Sequence, residues 1–327
     1  MDKRENPYRK FFLYLLLIAW GHTISLHAQN SFSILSYNIE NAFDTIHDEQ
    51  KDDLEYCAEG ERKWSKSRLY KKLKGVGKVI AAADKERPLD LVGLCEVEND
   101  SVMTYLTQRT PLKNIGYKYL MTNSNDKRGI DVALLYSPFT FHLIEKQELK
   151  MSMEEPATRD VLRATGTINN GDTLDVYVLH LPSRRGGAAA HNLSMKVVKT
   201  LCENIDSIRH FRQSPNMIVM GDFNAENNSK QIKYLTKENV FVNQTAGLKP
   251  GSYKYQGEWS LIDHILTYTT SLIPQKSHIL NLPFLVEPDN TNGGEKPRRT
   301  YLGPIYKGGI SDHLPVFTRF VFRKKLD

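Results

Sequence analysis

The stretch NMIVMGDFNAEN, residues 216–227, holds the question on which the fold turns. Four apolar residues, Met217 to Met220, run without interruption into Gly221, Asp222, Phe223 and Asn224. A short apolar run bounded by turn-forming residues reads as a buried strand. Carboxylate and amide groups at the mouth of such a strand are costly unless they are satisfied. They either cap the chain as it leaves the core or carry chemistry. The test is whether other strands end in the same way.

They do. Strand-like runs recur as FSILSYNIEN, LDLVGLCEVEN, GIDVALLYS, TLDVYVLHLPS, SLIDHILTY and SDHLPVFTRFVF, bounded by Gly, Pro, Asn and Ser. Polar groups close four of the strands: Asn38 with Glu40, Glu96, His180, and Asp222 with Asn224. Polar groups open three others: Asp131, Asp263, and Asp312 with His313. In a purely parallel sheet the two sets lie on opposite edges. In mixed sheets neighbouring strands run opposite ways, so ends and starts meet on one edge and all these positions can share a cleft.

Helical spacing appears between some strands. Residues 65–84 place Leu69, Leu73, Val76 and Ile80 on one face, with the lysines read as a solvated face. Residues 188–211 form a second amphipathic helix. Strands without a helix after each one argue against a simple doubly wound sheet. Two packed sheets with outer helices fit better. No repeat, low-complexity tract or linker divides the chain, so one domain is expected over 29–327.

Composition is that of an ordinary globular protein, 40% hydrophobic and 25% charged over 327 residues. Residues 1–28 differ. Lys3, Arg4, Arg9 and Lys10 precede the apolar run FFLYLLLIAW, and Ala28 offers a small residue for cleavage. This is the pattern of a secretory signal peptide, too short in its apolar part to span a bilayer. The expected location is therefore outside the cytoplasm, periplasmic or extracellular. The leader takes two of the +6 formal charges, leaving +4 on the mature chain. That suits an anionic substrate but falls short of a dedicated nucleic-acid-binding surface. Of the three cysteines, Cys95 reads as a buried small hydrophobe, while Cys57 and Cys202 are able to pair in an oxidising compartment.

Glu96, Asp312 and the Asn38 amide are hard oxygen donors. With no His-Glu-x-x-His and no Cys-x-x-Cys, they point to Mg²⁺, with Mn²⁺ as the alternative, rather than zinc. His180 and His313 have candidate acidic partners in Asp131 and Asp263, the usual way to orient an imidazole for proton transfer. Asp222 and Asn224 are suited to orient a water and a phosphoryl oxygen. Together these groups describe phosphoester hydrolysis, in which charge on the phosphoryl oxygens must be stabilised. Any one of them taken alone is an ordinary turn residue.

The ordered set SYNIEN, LCEVEN, RGIDVALLY, TRDVLRATG, VLHLPSRRGG, GDFN, WSLIDHIL and SDHLPV resembles the endonuclease/exonuclease/phosphatase superfamily, over about 32–322. The resemblance implies an α/β sandwich of four layers, two mixed β-sheets packed face to face with helices outside, and a divalent cation, usually Mg²⁺. It implies Glu96 as principal metal ligand with Asn38 and Asp312 nearby. Asp222 then orients or deprotonates water, and Asn224 binds the scissile phosphate. His313 with Asp263 serves the phosphate or proton transfer, His180 is steered by Asp131 as in the deoxyribonuclease-like branch, and Arg159 binds phosphate. The arginines of SRRGG (183–187) and KPRRTYLG (296–303) are either substrate-contacting or plain basic surface. The function expected is a secreted Mg²⁺-dependent phosphodiesterase, a nuclease acting on nucleic acid, favoured as a monomer. The alternatives are a phosphomonoesterase, a lipid phosphodiesterase of the sphingomyelinase kind, or a non-catalytic binding protein on the same scaffold.

Overall fold

A computed structural model describes residues 30–151 and 157–324. The leader expected over 1–28 lies outside the described residues. Twelve strands make two large sheets. The first contains β1 (Ser31–Ala42), β2 (Leu91–Val97), β3 (Lys118–Met121), β4 (Asp131–Tyr136), β11 (Leu272–Ile279) and β12 (Val316–Phe322), in the order β11-β12-β1-β2-β4-β3. The second contains β5 (Phe141–Leu149), β6 (Val161–Ile168), β7 (Thr173–His180), β8 (Asn216–Asp222), β9 (Val242–Asn243) and β10 (Asp263–Tyr268), in the order β5-β6-β7-β8-β10-β9.

Each sheet holds one parallel pair, β1 with β2 and β7 with β8; the other pairings are antiparallel. The mixed sheets expected from the strand ends are thus present. They place the C-terminal ends of β1, β2, β7 and β8 beside the starts of β4, β10 and β12.

Side chains alternate across β7 and β8. Val176, Val178, Ile218 and Met220 belong to the core between the sheets. Tyr177, Leu179, Met217 and Val219 face the other way and pack with Val198, Leu201 and Ile205 of a long helix, α3 (Gly187–Phe211). Strands buried on both faces explain why these runs read as continuously apolar. The sheets approach closely at Gly93, where an added Cβ would stand 3.0 Å from Met220 Sδ. Nearby, the Cys95 thiol lies 3.3 Å from the Leu179 carbonyl.

Two further helices are α1 (Lys66–Ala82) and α2 (Asp100–Arg109). Ser65 caps α1 by accepting a hydrogen bond from the Arg68 amide, and Leu69, Leu73, Val76 and Ile80 are buried as their spacing predicts. The lysine face of α1 is not wholly solvated. Lys72 is buried and donates to Thr300 Oγ1 at 2.6 Å and to the Ile310 carbonyl at 2.7 Å. All three cysteines are free. Cys202 lies on the buried face of α3, packed against the second sheet, whereas the Cys57 carbonyl accepts from the Trp64 amide in the core of the first. The two therefore belong to different layers and do not pair.

Candidate active site

Strand register builds one row of the site. In β7-β8-β10, His180 lies opposite Asp222 and Asp222 opposite Asp263. His180 and Asp222 continue the inward-facing alternation of Val176–Val178 and Ile218–Met220, so both aim between the sheets.

The first sheet supplies the facing row. A bulge at the end of β2, where the register slips between Cys95 and Val97, leaves Glu96 with φ +66°. Bulges of this kind re-aim a side chain, and a left-handed non-glycine residue is strain retained by its surroundings. Glu96 is held there by the Asn41 amide, which donates to Oε2 at 2.7 Å. Ser311 then ties the start of β12 to β1. Its hydroxyl donates to the Asn38 carbonyl at 2.6 Å and accepts from the His313 amide at 3.0 Å.

The two rows meet at Asp222. Asn38 Nδ2 donates to Asp222 Oδ2 at 3.0 Å and to Glu96 Oε1 at 3.2 Å. The Glu40 amide donates to Asn38 Oδ1 at 2.9 Å, which fixes the amide with its nitrogen toward the carboxylates. In this orientation Asn38 is a donor that holds Glu96 and Asp222, not an oxygen ligand. His180 Nε2 stands 3.5 Å from Asp222 Oδ2 and 4.0 Å from Glu96 Oε1. His313 Nε2 stands 3.9 Å from the same Asp222 oxygen, and its Nδ1 is 2.7 Å from Asp263 Oδ2. Asn224, at φ +47°, donates its amide N–H to Asp222 Oδ1 at 2.8 Å and its side chain to the Leu181 carbonyl at 2.9 Å.

Burial and charge set the imidazoles apart. Burial, aided by the charges of Arg159 and Arg128, pushes His180 well below the usual histidine range. Burial also pulls on His313. The charge and hydrogen bond of Asp263, with Asp222 and Asp312, outweigh it and hold His313 well above that range. Asp222 is pushed up by burial and by its cross-strand neighbour Asp263, partly offset by His313 and by the Asn224 and Asn38 donors.

Gly221 is not a turn residue. It lies inside β8 at φ +143°, where a Cβ would stand 1.9 Å from the Leu179 carbonyl of β7. Phe223 is buried in the core under α3 and sets its edge against the His264 ring.

Three further expected residues sit differently. Asp131 does not steer His180. Its Oδ1 accepts from the Thr122 hydroxyl at 2.6 Å and the Ser124 amide at 3.2 Å, and it lines a separate acidic cavity. The buried Nδ1 of His180 has no hydrogen-bond partner among the described residues. The reason is register: Asp131 pairs with Val97, beyond the bulge. Asp312 Oδ2 is 2.6 Å from Arg299 Nη2 in an ion pair. Arg159 is buried, with Nη1 on Asp126 Oδ2 and Nη2 on the Leu181 carbonyl, both at 3.0 Å, rather than open to the cleft.

Sequence reading passed over Ser311, Tyr253 and His264. His264 Nε2 is 2.9 Å from the Ala225 carbonyl and Nδ1 is 3.1 Å from Thr245 Oγ1. Its signal was a histidine set within the apolar run LIDHILTY.

Asp222, Asp263 and His313 offer ligand atoms within 4.8 Å of one another, and buried Asp263 Oδ1 lacks a hydrogen-bond partner among the described residues. Several carboxylate oxygens with an unsatisfied lone-pair site fit a hard divalent cation.

The Endonuclease/Exonuclease/phosphatase family model matches residues 33–322. No curated protein matches the chain. Among solved structures, the chain is similar to an endonuclease/exonuclease/phosphatase family protein from Bacteroides thetaiotaomicron. That likeness has a TM-score of 0.62 at 17% identity over 90% of this chain and 99% of the other. It is similar to a mannosyl-6-phosphatase of the same organism, with TM-score 0.60 at 16% identity, covering 89% and 100%. It is also similar to the catalytic domain of human Nocturnin with bound sulfate, with TM-score 0.58 at 17% identity, covering 90% and 95%. The chain belongs to the endonuclease/exonuclease/phosphatase family and is a metal-dependent phosphoric ester hydrolase built on that fold.

Proposed function

We propose that the protein is a Mg²⁺-dependent phosphodiesterase of nuclease type, exported after removal of residues 1–28 and acting as a monomer. The observation that carries this reading is the pair of unlike imidazoles, His180 and His313, on either side of one Asp222 oxygen, at 3.5 and 3.9 Å. Groups whose environments drive their protonation apart are the ordinary mark of an acid–base site.

Glu96 is the residue proposed to hold the cation; Asp222 shares the Asn38 amide with it, and Asp263 is the cross-strand neighbour of Asp222. Asp312 can join only by sharing its charge with Arg299. Bound there, a divalent ion supplies positive charge to the phosphoryl oxygens. The protein's own groups do the rest. Asp222 Oδ2 receives the proton of a water held in line with the scissile bond, and the Asn38 amide fixes that oxygen. His313, kept protonated and oriented by Asp263, gives its Nε2 proton to the leaving oxygen as the ester P–O bond breaks. The neutral His180 offers Nε2 on the opposite side. The Asn224 amide needs only a rotation away from the Leu181 carbonyl to donate to the phosphate.

The test is turnover of DNA, RNA, a chromogenic phosphodiester and a panel of sugar phosphates with Mg²⁺, with Mn²⁺ and with EDTA. Cleavage of oligonucleotides that EDTA abolishes supports the proposal. Turnover of monoesters alone supports the second reading, a phosphomonoesterase, which the likeness to the mannosyl-6-phosphatase favours. Export is checked by the amino terminus of the protein recovered outside the cytoplasm, and the monomer by light scattering.

A further inference from the structure

Beside the site, a short hairpin of Tyr253–Tyr255 and Glu258–Ser260 projects over His313. Tyr253 forms an isolated antiparallel bridge with His313, and the two rings lie 4.9 Å apart between centroids. Burial and the charge of Asp312 raise the Tyr253 hydroxyl, while His313, Arg299 and Arg185 pull it back, so these charges surround one ring. Alternation along the strand puts Tyr255 on the same face, about 7 Å further from His313. Tyr255 is 53% exposed, and the Arg185 guanidinium lies over its ring at 6.0 Å. Arg185 is carried there by the turn Arg184–Gly186. That turn is anchored to the site itself, because Arg184 Nε donates to the Asn224 carbonyl at 2.9 Å.

The cavity that Asp131 lines carries an excess of carboxylates. It has a volume of about 910 Å³, and in its lining Asp44, Asp48, Asp100 and Glu148 outnumber Lys51 and Lys146. An anionic substrate centred on Asp222 and His313 therefore extends its body toward Arg185 and the tyrosines.

We infer that Tyr255 and Arg185 form a slot for the nucleobase adjoining the scissile phosphate. Stacked planar groups repeat at about 3.4 Å, so a base between two planes needs roughly 7 Å, about 1 Å more than the present gap. The exposed Arg185 side chain supplies that movement. An aromatic platform backed by arginine binds any base, because every base has a π-face. The slot gives affinity for single-stranded or mononucleotide esters with little sequence preference. The inference rests on the nucleotidyl reading of the substrate given above.

The test uses the full mature chain with Mg²⁺ and a chromogenic phosphoester, with adenosine 5′-monophosphate and ribose 5-phosphate as competing inhibitors. The two share the phosphate and sugar and differ only in the base. The expected result is that the nucleotide inhibits about tenfold more tightly, in the range of a single base–aromatic stack. Tyr255→Ala and Arg185→Ala bring the two inhibitors within about twofold by weakening the nucleotide alone, and Tyr255→Phe keeps the preference. A wild-type protein without preference, or a Tyr255→Ala variant that retains it, overturns the slot. The nuclease reading fails separately, on intact oligonucleotides under conditions in which the chromogenic ester turns over.

Discussion

Acid should destabilise the fold through His264, whose ring ties the Ala225 carbonyl to Thr245 and Asn243. Its ring is fully buried, with Nε2 on the Ala225 carbonyl and Nδ1 facing the Thr245 hydroxyl and the Asn243 amide nitrogen at 3.1 and 3.2 Å. A neutral ring donates from Nε2 and accepts at Nδ1. A protonated ring sets a donor at Nδ1 against the Asn243 donor, in a place that no water screens. Burial accordingly lowers His264 from 6.5 to about 4, against the opposing pull of the Ala225 bond and the charges of Asp263 and Glu226. Between these values the unfolded chain binds more protons than the folded one. Stability is therefore complete above about pH 6.5, falls as pH drops through the window, and stops falling on this account below about pH 4. A shift of that size corresponds to about 3 kcal/mol, a large part of the 5–15 kcal/mol of a typical domain. The assay is urea unfolding at pH 7, 6, 5 and 4 for wild type and His264→Gln, which cannot titrate. The stability advantage of wild type over the variant should shrink by about 3 kcal/mol from pH 7 to pH 4. Other titrating groups cancel in this difference. A gap constant across the range would refute the argument that His264 is held neutral by burial.

Glu96→Gln should lower kcat by roughly 10²- to 10⁴-fold and weaken Mg²⁺ binding measured calorimetrically, with the melting curve little changed; equal activity with and without EDTA sinks the metal assignment. Asp263→Asn removes the charge that holds His313 protonated, so kcat should fall by about 10²-fold or more and the upper limb of the pH–rate profile should move to lower pH. Gly221→Ala forces a Cβ to 1.9 Å from the Leu179 carbonyl at φ +143°. It should cost more than about 1 kcal/mol in denaturant unfolding and lower turnover as well, because β7 and β8 can no longer hold His180 against Asp222.

Much of the site is legible in the chain because strand direction is legible. Polar residues that close β1, β2, β7 and β8 and those that open β10 and β12 do meet on one edge, as mixed sheets require. The alternation of β8 places Asp222 inward and Phe223 outward, and both are found so. Where reading from the chain fails, it fails over partners. Asp131 opens a strand as Asp263 does, yet the bulge at Glu96 carries it past His180 to Thr122 and Ser124. Arg159 follows a motif but lies buried on Asp126. The buried Lys72 belongs to a helix whose lysines alternate with leucines in an ordinary amphipathic pattern, and only the loop at Thr300 and Ile310 reveals its role.

The residue types and their order along the chain thus determine the class of fold and the chemistry of the site. Apolar runs demand burial, and their polar ends must be satisfied somewhere. Tertiary structure alone decides which group satisfies which. Asn38 and Asp222 are 184 positions apart and meet at 3.0 Å. A hydrogen bond depends on tenths of an ångström and on the direction of a donor, which follow from strand order, register and bulges. No local pattern records those quantities.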